Sequence, residues 1–170
     1  MLRIGKMTDY ALLIIGRLAK SPHAMLSATM LAEELHLNVP TVSKILKTLS
    51  ESKLVHAMRG AEGGYQLSRL PQQITVAEVV AAMEGRLAIT ECCEKAGLCT
   101  IDAFCTLKEN WKKINGMIHD LLAQWTILDL LTPSSQALRH VEELGLCHPE
   151  QGRRAQDDKH PASAGITVAK

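Results

Sequence analysis

Four of the five cysteines in this 170-residue chain lie close together, and three of them are evenly spaced. Cys93, Cys99 and Cys105 are separated by two intervals of five residues, and Cys92 comes directly before them. Thiolates are soft ligands that suit an iron–sulfur cluster, zinc or copper(I). The segment has no helical or strand periodicity, so we interpret it as a loop that can surround one metal centre. Three ligands leave one coordination position for a group from elsewhere in the chain, another subunit or a small molecule.

Three other interpretations of these cysteines stay open from the residues alone. Structural zinc sites usually contain paired Cys-x2-Cys or Cys-x2-His motifs, which this segment lacks. A thiol redox switch and chemically inert cysteines are the other two. The N-terminus has no basic, apolar and small-residue regions of a secretory signal, so we expect a cytoplasmic protein with reduced thiols. Cys147 is then a free thiol.

The composition limits the classes of function. Apolar residues make up 46% of the chain and aromatic residues only 3%, which predicts a packed, mainly helical domain with an aliphatic core. No run of about 18 apolar residues occurs, so we expect no membrane span. No Ser/His/Asp or Cys/His arrangement indicates catalysis, and the seven histidines are scattered. We therefore expect a protein that is not an enzyme.

The elements before the cysteines have the order of a winged helix-turn-helix. Thr8 is the predicted N-cap of a first helix, Ser27 caps a second, and Pro40 takes the first position of a third. Two short strands then flank the glycine-rich turn 59–64, and Thr75 is the predicted N-cap of a short helix after them. In this motif the third helix enters the major groove of DNA and the hairpin, or wing, contacts the adjacent backbone or minor groove.

The third helix and the wing carry side chains suited to DNA. Residues 1–70 have a net charge of +4, whereas the remainder has −3. Lysine and arginine neutralise phosphates, short hydroxyl side chains reach base edges, and an arginine fits a narrow minor groove. The candidate contacts on the third helix and the wing are Thr41, Ser43, Lys44, Lys47 and Arg59. The alternative is a winged helix that contacts protein, with its lysines as an ordinary solvated surface.

A long helix is predicted after the cysteines. Its apolar residues recur at alternating steps of four and three, at Leu107, Trp111, Ile114, Ile118, Leu121, Trp125 and Leu128. This heptad spacing predicts a partner helix and hence a homodimer, although the helix could also pack on its own domain. Thr126 could cap a separate short helix through Leu131, which would remove Leu128 from the heptad set.

The sequence thus predicts a mainly α fold with a small β wing, a winged helix-turn-helix followed by a long dimerisation helix. We expect a DNA-binding domain over residues 1–85, a cysteine loop over 86–105, the dimerisation helix over 106–131 and a disordered tail over 132–170. A dimer of this kind would present two recognition helices to a pseudo-palindromic site on double-stranded DNA.

In combination, these motifs resemble the IscR/NsrR-type winged-helix transcription regulators of bacteria. The resemblance rests on residues 6–12, the wing over 55–67 and the triple-cysteine segment followed by Trp111, and it covers roughly residues 1–131. Within the family, the chain is most similar to regulators of the SUF iron–sulfur assembly system. The resemblance implies a transcriptional regulator of iron–sulfur cluster assembly (SUF) genes whose promoter binding is controlled by an iron–sulfur cluster, [2Fe–2S] or [4Fe–4S].

The same resemblance implies residue roles. Cys93, Cys99 and Cys105 match the cluster ligands, and the implied DNA contacts are Pro40, Thr41, Ser43, Lys44, Lys47 and Arg59. IscR-like members have a fourth ligand, a histidine, where this chain has Lys108, and lysine is a poor iron ligand. In some NsrR-like members an aspartate of the partner's first helix is the fourth ligand, and Asp9 stands at that position. Asp9 could equally be an acid that favours the helix dipole, and Cys92 is a further candidate ligand.

Two alternative functions accompany this interpretation. The first is a nitric-oxide- or redox-sensing repressor of detoxification genes with the same fold. The second is a zinc-stabilised protein-interaction module. The metal content of the isolated protein distinguishes the zinc-stabilised module from both regulators.

Overall fold

The computed structural model describes residues 4–60, 63–95 and 97–132. Its elements are, in order, α1 (Lys6–Ala19), α2 (Ala28–Glu34), α3 (Val39–Glu51), β1 (Val55–Met58), β2 (Gly64–Leu67), a 3-10 turn (Pro71–Gln73), α4 (Val76–Glu84), α5 (Glu91–Glu94), α6 (Lys108–Gln124) and α7 (Ile127–Leu131). The predicted fold class, mainly helical with a small two-stranded sheet, is confirmed. The domain limits stay predictions, and residues 133–170, with the expected disordered tail and Cys147, lie outside the described residues.

The core forms where the apolar sides of α1, α3 and α4 meet. Val42, Ile45, Leu46 and Leu49 of α3 are fully buried, at the i, i+3, i+4 and i+7 positions of one helix side. Ser27 caps α2 as predicted: its hydroxyl accepts a hydrogen bond from Met30 N at 3.1 Å. Pro40 occupies the second position of α3 rather than the first, because Asn38 is the N-cap.

Helix α1 begins earlier than the sequence indicated. Thr8 is not its N-cap: the helix starts at Lys6 after Gly5, and Thr8 is completely buried. The Thr8 hydroxyl donates a hydrogen bond to Glu84 at the end of α4, and Gly5 N donates to the same carboxylate oxygen at 3.1 Å. A carboxylate from another helix therefore takes the place of a local cap.

The wing is an antiparallel hairpin in which Val55 pairs with Leu67 and Met58 pairs with Gly64. Strand β2 is joined to the segment before α2 by two backbone hydrogen bonds between Leu26 and Tyr65, at 2.9 and 3.1 Å. A Cβ atom at Gly64 would lie 2.9 Å from the carbonyl oxygen of Leu26. Glycine is therefore required at this position for the close approach of the wing.

Helix α4 begins with the predicted cap. Thr75 and Glu78 form a reciprocal capping box. Burial tends to raise the pKa of Glu78, but hydrogen bonds from the Thr75 backbone and Arg69 hold this pKa below its ordinary value. Gly85 ends the helix with a φ of +84°, a conformation that favours glycine.

The predicted long helix is divided in two. Helix α6 ends at Gln124, and a second capping box, formed by Thr126 and Asp129, starts α7. Backbone bonds at 2.8 Å (Val76 N to Trp125 O) and 2.9 Å (Ile127 N to Ile74 O) tie this junction to the start of α4. Ile127, outside the heptad set, is the buried residue here. Among the described residues, no helix has the length and apolar character needed to cross a membrane.

Candidate functional site

The exposed side of α3 carries most of the predicted DNA contacts. Pro40, Lys44 and Lys47 are exposed, while Thr41 and Ser43 are half-buried. Lys44 forms no ion pair with any described residue. The helix thus presents hydroxyl and ammonium groups on the side opposite its buried residues, an arrangement that can contact base edges and phosphates.

Lys47 and Arg59 line one groove between α3 and the wing. Lys47 is 3.9 Å from Glu51 of the same helix, with the two side chains 79% and 66% exposed. An ion pair so long and so hydrated contributes little, so Lys47 stays available to a phosphate. Arg59 is exposed and has no ion-pair partner among the described residues. The structure therefore brings the two predicted cationic contacts to the same surface.

Arg17 has a different role from these cations. Its guanidinium pairs with Glu34 of α2, including a bond of 3.1 Å from Nη2, and donates to Ser21 at 3.0 Å. These contacts join α1 to α2, the first helix of the helix-turn-helix. The positive charge of Arg17 is thereby used within the fold rather than offered to a ligand.

The cysteine segment, residues 86–105, contains a short helix that its lack of periodicity did not predict. Helix α5 carries half-buried Cys92 and buried Cys93. The Thr90 hydroxyl lies 3.2 Å from Cys92 Sγ and donates to Cys93 Sγ at 3.3 Å. Cys99 and Cys105 are half-buried in the turns that follow, and all four thiols are free.

The thiols suit a metal centre by type, but the described residues do not gather them around one point. No group of three His, Cys, Asp or Glu side chains among them is close enough to hold a metal ion. One buried oxygen in the cysteine segment, Asp102 Oδ1, has no hydrogen bond of normal geometry in the described part of the chain. Soft sulfur donors and an unsatisfied anionic oxygen fit a metal centre in chemistry, provided that the segment closes further on binding.

Asp102 was not singled out from the sequence, although it lies three residues from both Cys99 and Cys105. Its Oδ2 accepts a hydrogen bond of 2.7 Å from Lys108 Nζ at the start of α6. This hydrogen bond lowers the pKa of Asp102 and raises the pKa of Lys108, with burial opposing both shifts. Lys108, at the position of the IscR-type histidine, is therefore a charged partner of Asp102.

Asn115 of α6 fastens the start of the cysteine segment. Its Oδ1 accepts from Ile89 N at 3.0 Å, and its Nδ2 donates to Leu87 O at 3.1 Å. Helix α5 also packs on α6, and α6 packs on α4. The cysteine segment is consequently attached to the helix predicted to form the dimer.

Asp9 lies in the first turn of α1, as predicted, and is exposed. It lines a groove between α1 and α7, the α1–α7 groove, together with Leu12, Leu13, Leu130 and Leu131. None of the described cysteines lines this groove. Within one chain, the structure does not bring Asp9 to the cysteines.

Four of the six predicted dimerisation residues lie on α6, which has no buried residue, and Leu107 and Trp125 flank this helix at its two ends. Leu107, Trp111 and Ile114 are exposed, at 58%, 36% and 42%, and Ile118, Leu121 and Trp125 are half-buried. One chain alone therefore leaves the apolar side of α6 largely uncovered.

Comparison with known proteins gives a consistent assignment. The sequence pattern of the Rrf2 family, described as "Iron-dependent Transcriptional regulator", matches residues 4–133. The HTH-type transcriptional regulator NsrR of Shouchella clausii is 27% identical over 139 residues, which cover 76% of this chain and 89% of that relative.

Solved structures agree. CymR of B. subtilis, described as the global cysteine regulator, has a TM-score of 0.61 and 26% identity, over 77% of this chain and 97% of its own. T. potens IscR has a TM-score of 0.59 and 25% identity, over 86% of this chain and 93% of its own. These relatives are regulators, not enzymes. The winged helix, its cationic surface and these matches together show that the chain belongs to the Rrf2 family of transcriptional regulators.

Proposed function

We propose that this protein is a homodimeric regulator whose promoter binding is controlled by an iron–sulfur cluster bound through Cys93, Cys99 and Cys105. The observation that carries the proposal is the attachment of the cysteine segment to α6 through Asn115 and α5. Helix α6 also packs on α4 of the winged-helix domain. A change in the segment can therefore alter both the dimer and the position of the DNA-binding surface.

Cluster binding would control DNA binding because both equilibria depend on the arrangement of residues 86–105. When bound, the cluster supplies a redox-active inorganic core on which several thiolates converge. The described arrangement keeps the thiols apart, so a second, closed arrangement of residues 86–105 is needed. A ligand shifts the balance between two arrangements only by the difference in its affinity for them. Loss or oxidation of the cluster would then change promoter occupancy.

The DNA partner is a pseudo-palindromic double-stranded site in the cytoplasm. Two copies of α3 would enter successive major grooves about one helical turn apart. Lys44, Lys47 and Arg59 of each copy would neutralise phosphates or enter the minor groove. We propose genes of iron–sulfur assembly, the SUF system, as targets on the basis of the sequence resemblance and the similarity to IscR.

A second candidate is a redox- or nitric-oxide-sensing repressor of detoxification genes. The free thiols of Cys92 and Cys93, both in contact with the Thr90 hydroxyl, could respond to oxidants without a cluster. The similarity to CymR, a global cysteine regulator, favours a sulfur-related signal as well. This candidate shares the fold and the DNA surface and differs in what the cysteine segment detects.

Anaerobic purification tests the first candidate directly. We expect coloured protein with iron and inorganic sulfide in equal amounts, and a Mössbauer spectrum that identifies the cluster type. Cys99→Ser should lose iron and keep its helical content by circular dichroism, whereas the matched change Cys147→Ser outside the segment should keep both. Colourless protein that contains zinc would point to the zinc-stabilised module. Colourless, metal-free protein whose DNA binding responds to oxidants would favour the second candidate.

A further inference from the structure

In the turns before α6, apolar side chains are exposed to solvent and a carboxylate is mostly buried. Leu98, Ile101, Phe104 and Leu107 are exposed, and Phe104 is 90% exposed. The Asp102 side chain, in contrast, is only 19% exposed. A surface loop normally buries its apolar side chains and hydrates its carboxylates. The fold therefore shields the Asp102 carboxylate from solvent while these apolar side chains face outward.

Asp102 is incompletely satisfied in that interior. Oδ2 binds Lys108, but Oδ1 is inaccessible to solvent and has no hydrogen bond of normal geometry with the described residues. The pKa of Asp102 is lowered first by the Lys108 hydrogen bond and, to a smaller extent, by the backbone N–H of Gly97. Leaving a buried carboxylate oxygen without a partner costs free energy, so such an atom usually indicates a missing water or cation.

We infer that Asp102 is an oxygen ligand of the metal centre formed by Cys93, Cys99 and Cys105, and that Lys108 is its counter-ion. The inference deepens the proposed function by naming the fourth ligand. The Asp102 N–H donates to the Cys99 carbonyl at 3.1 Å, so the carboxylate is held in the same turn as one of the thiols. Carboxylates are established ligands of iron alongside softer donors.

Charge explains the lysine at position 108. Three thiolates and one carboxylate bring four negative charges together, and a nearby ammonium group reduces their mutual repulsion. Lys108 does this while bound to Oδ2 and leaves Oδ1 for the metal. A histidine ligand at position 108 is then unnecessary, because the ligand comes from Asp102.

Asp9 is the competing candidate within this chain. It is exposed in the α1–α7 groove, which no described cysteine lines, so it requires a second subunit to reach the thiols. Asp102 already lies inside the cysteine segment and has an oxygen without a partner. Of the two, only Asp102 lies in the cysteine segment of the same chain, and comparing Asp102→Asn with Asp9→Asn decides between a ligand from the segment and one from a second subunit.

The test compares four single variants of the full-length protein: Asp102→Asn, Lys108→Met, Asp9→Asn and, as a control, Asp120→Asn on exposed α6. The first readout is Co²⁺ titration of the reduced, metal-free protein, followed by thiolate-to-cobalt absorption. The second is the rate of iron loss to a chelator and the Mössbauer spectrum of protein purified without oxygen. We expect Asp102→Asn to weaken Co²⁺ binding and accelerate iron loss by about tenfold or more, with an altered spectrum.

The controls separate ligation from positioning. Lys108→Met removes the ion pair but keeps the carboxylate, so it should affect metal retention much less than Asp102→Asn and preserve the native spectrum. Asp120→Asn should match the native protein in every measurement. Circular dichroism confirms that each variant is folded.

Several results would overturn the inference. Equal losses in Asp102→Asn and Lys108→Met with an unchanged spectrum would make Asp102 a positioning residue only. Native behaviour of Asp102→Asn, or a loss confined to Asp9→Asn, would exclude Asp102 as the ligand. Native protein without iron would contradict the proposed function separately, since the Co²⁺ titration would still show whether Asp102 binds metal with the thiols.

Discussion

Replacing Lys44 by glutamine should change how strongly DNA binding depends on salt. Each protomer presents three cations on the proposed DNA surface, Lys44, Lys47 and Arg59, so a dimer would neutralise six phosphates. Each contact contributes about −0.9 to the slope of log K against log salt, so the native slope should be about −5.4. Affinity would then fall about 2,000-fold between 50 and 200 mM salt.

The variant Lys44→Gln removes two of those contacts per dimer. Its slope should be shallower by about 1.8, and its affinity should fall only about 150-fold over the same salt range. Fluorescence anisotropy with a promoter fragment that binds the native protein measures both slopes. Lys20→Gln, an exposed lysine of the α1–α7 groove, is the matched control and should keep the native slope.

The reasoning depends on α3 and the wing contacting DNA together. If Lys44→Gln, Lys47→Gln and Arg59→Gln all keep the native slope, this surface does not bind the phosphates. Glu51→Gln tests the ion pair of Lys47 in the same assay. Because that pair is long and exposed, the change should leave the affinity within about twofold of native.

Three further changes test the fold and the dimer. Gly64→Ala should separate the wing from Leu26 and lower the free energy of unfolding by about 2 kcal/mol, the approximate value of two backbone hydrogen bonds. Urea titration measures this free energy. The control is Gly116→Ala, where a Cβ meets nothing within 4 Å, and this change should not destabilise the protein. Trp111→Asp places a charge on the uncovered side of α6 and should give monomers in sedimentation, whereas a native dimer would show that α6 is not the interface. Glu78→Gln removes a carboxylate whose pKa is lowered in the folded state. The stabilisation by this carboxylate is present at neutral pH and is lost as the pH falls through the folded pKa. The free energy of unfolding of the variant should therefore depend less on acid pH than that of the native protein, and an unchanged dependence would contradict this assignment.

Local signals predicted much of the winged helix. The buried residues of α3 and the caps at Ser27 and Thr75 depend on side chains within a few positions of one another, so the sequence alone indicated them. The prediction that Thr8 caps α1 was wrong for the opposite reason. Its hydroxyl resembles a local cap, but its partner, Glu84, is 76 residues away, and no short-range pattern reports such a contact.

The candidate site divides in the same way. The spacing of the cysteines and the cationic character of α3 are properties of the sequence. The sequence does not show that Asp102 pairs with Lys108 or that Phe104 is exposed, because both depend on how the turns fold back on α6. Helix α5, with only four residues, is too short to produce a recognisable period.

The hydrogen bonds of Glu84, at the end of α4, determine where the cysteine segment can move relative to the winged helix. Glu84 is fixed to the first turn of α1, and the next residue, Gly85, has a backbone conformation open to few other residues. Rearrangement of the residues that follow should therefore pivot at Gly85 and leave the winged helix internally rigid. The DNA-binding unit, with α7 packed on α1, would then be reoriented as a rigid body. Flexible residues inserted after Gly85 should therefore preserve this unit and weaken its coupling to the cysteine segment.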